Sequence, residues 1–346
     1  MYRFTNDYSE GAHENILKAL VDTNLNQEIG YGEDSFCKEA KKLIKAKIKN
    51  ENSDIHFVCG GTQANLIIIS SVLRPHEAVI AASTGHINVH ETGAIEATGH
   101  KVCTIESEDG KLTVEHIKKV LDSHTDEHMV KPKMVFISNT TELGTIYKKE
   151  ELQEISKFCR ENNLYLHLDG ARLGSALTSR DNDLTLEELS SLVDIFYIGG
   201  TKNGALLGEA IVINNDKLKE DFRYHIKQKG AMVAKGRILG IQFVELFKNN
   251  LYFDLANHAN KMAYKLSDSL KELGYEFLTE PTSNQIFPIM TNEEIDKLKE
   301  DYGFNIERKI DNNKKAIRLV SSWATREDAV DEFIDYMKKL GSVKVC

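Results

Sequence analysis

Lys202 and Asp169 are the two side chains of this sequence with the clearest chemical prospects. Lys202 follows an apolar run, Ile195–Ile198, and sits in a Gly/Thr-rich turn, Gly199-Gly200-Thr201-Lys202-Asn203-Gly204. Upstream, a second apolar run, Leu164–Leu168, ends in Asp169-Gly170-Ala171-Arg172. An amine at one strand end and a carboxylate at another suit pyridoxal phosphate. The lysine forms a Schiff base with the aldehyde, and the aspartate keeps the ring nitrogen protonated. Each residue alone has a plainer explanation: a solvated turn lysine, and an aspartate that caps a helix or bridges to Arg172. The cofactor reading rests on the pair, each member at the carboxyl end of a buried strand, where α/β sheets bind ligands.

Three further positions fit such a ligand. Gly60-Gly61-Thr62-Gln63-Ala64-Asn65 opens a helix directly after a strand. There the glycines admit close backbone approach, and the free amides favour an anion. Gly61 and the Thr62 hydroxyl are the expected phosphate contacts, although Thr62 could equally be an N-cap. The stretch is neither a Walker loop nor a dinucleotide fingerprint. His86 lies just after another apolar strand and could stack on a flat ring. His86 and His90 stand four apart, but the order and third ligand of a zinc site are missing, so no metal is expected. Arg318, in Ala316-Ile317-Arg318-Leu319-Val320, could clamp a carboxylate bidentately or face water from an edge strand.

The elements that would carry these residues alternate. Strands are expected at 54–59, 78–82, 101–105, 134–138, 164–168, 195–198 and 210–213. Helices fall at 13–21, 35–49, 63–73, 114–124, 149–162 and 222–248. This βα alternation predicts an α/β fold with a mostly parallel, doubly wound sheet. A smaller α+β part follows, with helices at 255–273 and 327–340 and strands at 284–290 and 317–320. The expected division is a polar arm over 1–14, a large cofactor-binding domain over 15–250, and a small C-terminal domain over 251–346.

Composition bounds the partners. The chain has 346 residues and a formal net charge of −9, which lacks the broad basic face that nucleic acid or an anionic membrane requires. Cys37, Cys59, Cys103, Cys159 and Cys346 are scattered with no C-x-x-C pair, as free thiols of a reducing cytoplasm would be. The polar N-terminus has no signal-peptide core, and the longest apolar run, near Leu66–Leu73, is too short to span a bilayer.

With these motifs in place, the chain resembles the threonine aldolases of the β-eliminating-lyase-like group of fold-type-one pyridoxal phosphate enzymes. The motifs that carry the resemblance are Gly60–Asn65, His86 with Glu91-Thr92-Gly93-Ala94, His167–Leu173, Thr201-Lys202-Asn203-Gly204 and Arg318-Leu319-Val320. Asp7–His13 and Gly30–Asp34 are similar to the family's opening. The resemblance implies an aspartate-aminotransferase-type large domain and a homo-oligomer, dimer or tetramer, with shared sites. It implies Lys202 as the Schiff-base lysine, Asp169 on the pyridine nitrogen, His86 on the ring, and Gly61, Thr62 and Thr201 among the cofactor contacts. Arg172 would address the cofactor's edge and the substrate carboxylate, alongside Arg318 and Ser9. Two departures stand out. Thr141 occupies the place where many members carry a histidine, and Gly230–Lys235 lacks an arginine found in many, for which Lys235 or Arg237 could substitute.

The implied reaction is cleavage of a β-hydroxy-α-amino acid, such as threonine, to glycine and an aldehyde, with His86 or a water it holds as the base. The alternatives are β-elimination or transamination on the same cofactor, and an α/β binding protein without catalysis.

Overall fold

In a computed structural model the described residues are 1–342. Cys346 and the end of the expected small domain lie outside them. The strands are β1 (Tyr2–Arg3), β2 (Asp54–Val58), β3 (Glu77–Ala82), β4 (Val102–Ile105), β5 (Lys131–Ser138), β6 (Tyr165–Asp169), β7 (Ile195–Gly199) and β8 (Glu209–Ile213), then β9 (Gln285–Ile286), β10 (Ile289–Thr291), β11 (Tyr302–Gly303), β12 (Asn305–Lys309) and β13 (Lys314–Val320).

Seven of them form one sheet in the order β2-β8-β7-β6-β5-β3-β4. The pairs among β3, β4, β5, β6 and β7 are parallel, whereas β8 runs antiparallel to both β7 and β2. The expected mostly parallel α/β sheet is therefore present, with one reversed strand. Residues of β3, β7 and β8 are buried on both faces, which is why these segments read as continuous apolar runs.

Alternate residues feed two cores. On one face Ile80, Val135, Ile137, Leu166, Leu168, Phe196 and Ile198 pack with Ile44, Leu152 and Phe243 from helices α2 (Ser35–Ile48), α6 (Lys149–Glu161) and α10 (Arg237–Lys248). On the other face Val79, Ala81, Phe136, Ile195, Tyr197 and Ile211 pack with Ile67 and Ile68 of α3 (Gly61–Val72) and Phe222 of α9 (Phe222–Gln228).

The single helix expected over 222–248 is two helices, α9 and α10. Gly230 between them takes φ +71°, a left-handed conformation that ends α9. The strand expected over 284–290 is likewise two short pieces, β9 and β10.

A third core joins Leu266 and Leu270 of α11 (Leu251–Glu272), Ile286, Met290, Ile317, Leu319 and Phe333. Strand β13 is central here, between β10 and β12 and also paired with β9. Arg318 is thus not on an edge. The chain's first residues join this core, since β1 pairs with β11 and Phe4 is fully buried. Cys37, Cys59, Cys103 and Cys159 are free thiols. No helix among the described residues is long and apolar enough to cross a membrane.

Candidate active site

The parallel strands all end on one side of the sheet, and the loops that leave them carry the candidate residues. His86 follows β3, Asp169 ends β6 with Arg172 just beyond, and Lys202 follows β7. Register sets these ends level: Ser138 pairs with Asp169, and Gly199 with Glu209.

Asp169 is 3% exposed and surrounded by donors. Oδ1 accepts the Tyr197 hydroxyl at 2.5 Å and the Ala171 amide at 3.0 Å, and Oδ2 accepts Asn65 Nδ2 at 3.0 Å. Burial alone would push its carboxyl up. The His86 charge and the hydrogen bonds from Asn65, Tyr197 and Ala171 overcome that, and the carboxyl stays below its usual range. No Arg172 bridge forms. Arg172 instead grips Asp7, with Nε 2.7 Å from Oδ2 and Nη2 3.0 Å from Oδ1. Asp7 also accepts Asn284 Nδ2 at 2.9 Å.

Lys202 sits in a turn tied back to β8. The Gly200 and Thr201 amides donate to Gly208 O at 2.9 and 3.2 Å, and the Gly208 amide donates to Thr201 Oγ1 at 3.0 Å. The Gly200 amide also reaches Glu209 Oε2 at 3.0 Å. Thr201 thus spends its hydroxyl on holding the turn, and a Cβ at Gly200 would meet Gly208 O at 2.7 Å. No carboxylate lies within ion-pair distance of Lys202 among the described residues. Burial and the Arg172 charge lower its pKa against the opposing charges of Asp7, Asp169 and Glu209. The nearest ring is Tyr8, whose centroid is 6.0 Å from the amine. Glu209 is itself buried, and burial pushes its carboxyl up to about 8 despite its hydrogen bond from Thr201.

His86 opens the short helix α4 (His86–Val89), not a loop. Its Nδ1 lies 2.9 Å from Glu91 Oε1. Burial works against a charged ring, yet that hydrogen bond and the charges of Asp169 and Glu91 raise its pKa. Asn65 is held from behind by His167 Nε2, 3.0 Å from its Oδ1. Burial depresses His167 to about 4, so that ring is neutral.

Helix α3 begins at Gly61 with Gly60 as N-cap, and no side chain caps it. Thr62 is one residue inside the helix and exposed, so its N-cap alternative does not hold. A Cβ at Gly61 would meet Tyr197 Oη at 2.9 Å. Arg318 lies beside Arg172: burial and that neighbour's charge lower its pKa, and its Nε is buried with no partner. Ser9 is exposed, and its hydroxyl donates to Asn6 Oδ1 at 3.0 Å. His90 is exposed, its ring tilted 54° to that of His86 with centroids 5.5 Å apart, and no group of three metal-ligating side chains occurs among the described residues. Arg237 donates to the carbonyls of Thr23 and Asn26, both at 2.5 Å.

Sequence reasoning did not single out Asp7, Tyr197, Glu142 or Glu209 as site residues. Tyr197 had a signal: strand alternation puts it on the same face as His167. The others reach the site only through chain folding.

A family model described as beta-eliminating lyase matches residues 6–293. The chain is 33% identical over 336 residues to a low specificity L-threonine aldolase of a Pseudomonas strain, covering 95% of each chain. It is 28% identical to the low specificity L-threonine aldolase of Escherichia coli K12, over 79% of each. Among solved structures, a threonine aldolase of Leishmania major superposes with a TM-score of 0.97 at 50% identity, covering 99% of this chain and 100% of that one. An aspartate aminotransferase of Thermus thermophilus shares the fold, with a TM-score of 0.71 at 14% identity.

Proposed function

This chain belongs to the beta-eliminating lyase family, and on that footing we propose that it is a pyridoxal-phosphate-dependent carbon–carbon lyase that cleaves L-threonine to glycine and acetaldehyde. Relatives named as threonine aldolases, one of them matching along almost the whole of both chains, favour this reading over elimination or transamination.

The site fits the cofactor. Asp169 is a buried carboxyl that gives up its proton more easily than usual, with neutral donors around it and, among the described residues, no lysine or arginine in ion-pair contact, which suits a protonated ring nitrogen. Lys202 has a weakened hold on its proton, as an amine that must attack an aldehyde requires. The uncapped start of α3 at Gly61 and Thr62 suits the phosphate. That combination carries the reading. Bound there, pyridoxal phosphate supplies an electron sink for the bond broken at Cα.

The chain's own residues supply the rest. Arg318 has an unused, buried guanidinium Nε and takes the substrate carboxylate. Arg172, fixed by Asp7, adds positive charge beside it. Holding the carboxylate would set which bond at Cα is aligned for cleavage on a bound cofactor, so these arginines would control the reaction as well as affinity. Glu91 strengthens the hold of His86 on a proton, and His86 would stack on the ring, its charge favouring the Asp169 carboxylate.

We also read the chain as a cytoplasmic homo-oligomer, dimer or tetramer. Val21, Leu25 and Ile29 support this: they are 74%, 90% and 66% exposed along one stretch of chain, a surface that suits a second copy.

Incubation of the purified holoenzyme with L-threonine tests the reading. Acetaldehyde and glycine in equal amounts support it. A 2-oxo acid in their place contradicts it.

A further inference from the structure

We propose that Glu142 takes the proton of the substrate's β-hydroxyl, which makes it a further catalytic residue of the cleavage proposed above; the inference rests on that reading.

Glu142 lies just beyond β5, whose last residue pairs with Asp169. Its Oε1 accepts the His86 backbone amide at 2.9 Å and the Ser138 hydroxyl at 2.8 Å. One donor comes from the turn after β3 and the other is the last residue of β5 itself, so the carboxyl is fixed between two neighbouring strand ends. The carboxyl also takes a hydrogen bond from its own backbone amide, both donors from other residues reach Oε1 rather than Oε2, and the residue retains accessible surface. The groups facing it are His86 from α4, Asp169 and Arg172 from the end of β6, and Tyr147 from the loop after β5. None of them forms an ion pair with it. Burial and the Asp169 charge raise its affinity for a proton, against the Ser138 hydrogen bond and the His86 charge.

The competing bases are committed elsewhere. His86 gives Nδ1 to Glu91, and that hydrogen bond with the charges of Asp169 and Glu91 favours its protonated form against burial. Thr141 is buried with its hydroxyl 2.7 Å from Thr145 Oγ1. It holds the loop that presents its neighbour.

The step balances. The β-hydroxyl O–H bond breaks, and its proton passes to Oε2. The O–H electron pair becomes the second bond of the aldehyde carbonyl. The Cα–Cβ pair stays with Cα, where a bound cofactor would stabilise it. Solvent later protonates Cα and accepts the proton from Glu142.

The test compares the wild-type holoenzyme with Glu142→Gln and Glu142→Asp. Glutamine keeps an oxygen for His86 and Ser138 but cannot take the proton. Two reactions are followed: threonine cleavage, and exchange of glycine's α-proton in deuterated water, which involves no hydroxyl. We expect Glu142→Gln to lose roughly 10²–10⁴-fold in kcat for cleavage, the usual share of a general base, with KM within a few-fold and glycine exchange retained. The acid limb of the kcat profile should vanish with it, and Glu142→Asp should regain part of the rate. Cleavage within about threefold of wild type in Glu142→Gln, or parallel loss of cleavage and exchange, overturns the proposal. A wild type that exchanges glycine but releases no acetaldehyde from threonine refutes the functional reading itself.

The cofactor-free protein gives a readout independent of activity. The folded pKa of Glu142 is raised above 4.5, so its share of stability is full below 4.5 and is lost as pH rises through the folded value. The melting temperature of wild type should therefore fall relative to Glu142→Gln as pH rises from 4.5. A constant difference across that range overturns the proton-holding role.

Discussion

Glu91 and Asp169 share one amide nitrogen: Asn65 Nδ2 lies 2.9 Å from Glu91 Oε1 and 3.0 Å from Asp169 Oδ2. The two amide protons serve one carboxylate each, and the Glu91 oxygen also receives His86 Nδ1 at 2.9 Å. A continuous polar chain thus runs from the Asp169 carboxylate through Asn65 and Glu91 to the His86 imidazole.

Glu91→Gln removes the main hydrogen bond that raises the His86 pKa. The expected result is a lower His86 pKa, read by nuclear magnetic resonance titration of its ring protons. The stability that Glu91 lends through His86 is fully present below pH 6.5, and is lost as pH rises through the raised value. The melting-temperature gap between wild type and variant should accordingly narrow toward alkaline pH.

The two arginines should separate stability from binding. Arg172→Ala strands the buried Asp7 carboxylate and should cost about 3–5 kcal/mol of stability by urea unfolding. Arg318 pairs with no carboxylate, so Arg318→Ala should leave unfolding close to wild type. It should instead raise KM for threonine roughly a hundredfold, matching about 3 kcal/mol of charged hydrogen bonding. Comparable unfolding losses in both variants would contradict the assignment.

Much of this arrangement was legible in the order of residues. Apolar runs alternating with period-3.6 segments located the strands and helices, and polar residues just after apolar runs marked Asp169 and Lys202. What stayed hidden depends on contacts between distant segments. Asp7 looks like part of a polar arm until β1 pairs with β11 and Phe4 enters a core, bringing it to Arg172. The reversal of β8 leaves no mark on a strand buried on both faces, because either direction gives the same apolar run. The break between α9 and α10 did have a mark in Gly230, outweighed by the helical pattern on either side. Glu142 carries no mark of its own in the sequence. Its environment is built by donors from two other positions.

Gly170→Ala tests the spacing between the two main strands. A Cβ there would sit 1.9 Å from Tyr197 O, part of the β7 backbone, which cannot move without shifting the turn that holds Lys202. The expected cost is about 1–3 kcal/mol in chemical unfolding, with weakened cofactor retention. A variant as stable as wild type that retains cofactor equally well would show that this contact is not limiting.

Lys202→Ala should remove the visible absorbance of the lysine-linked cofactor and with it threonine cleavage. A colour that survives the substitution unchanged would place the covalent link on another lysine.

The most direct measurement is borohydride reduction of the coloured wild-type protein, followed by proteolysis and mass mapping. The account predicts a pyridoxyl adduct on the peptide containing Lys202 and on no other. An unmodified Lys202, with the adduct elsewhere or absent, would contradict it.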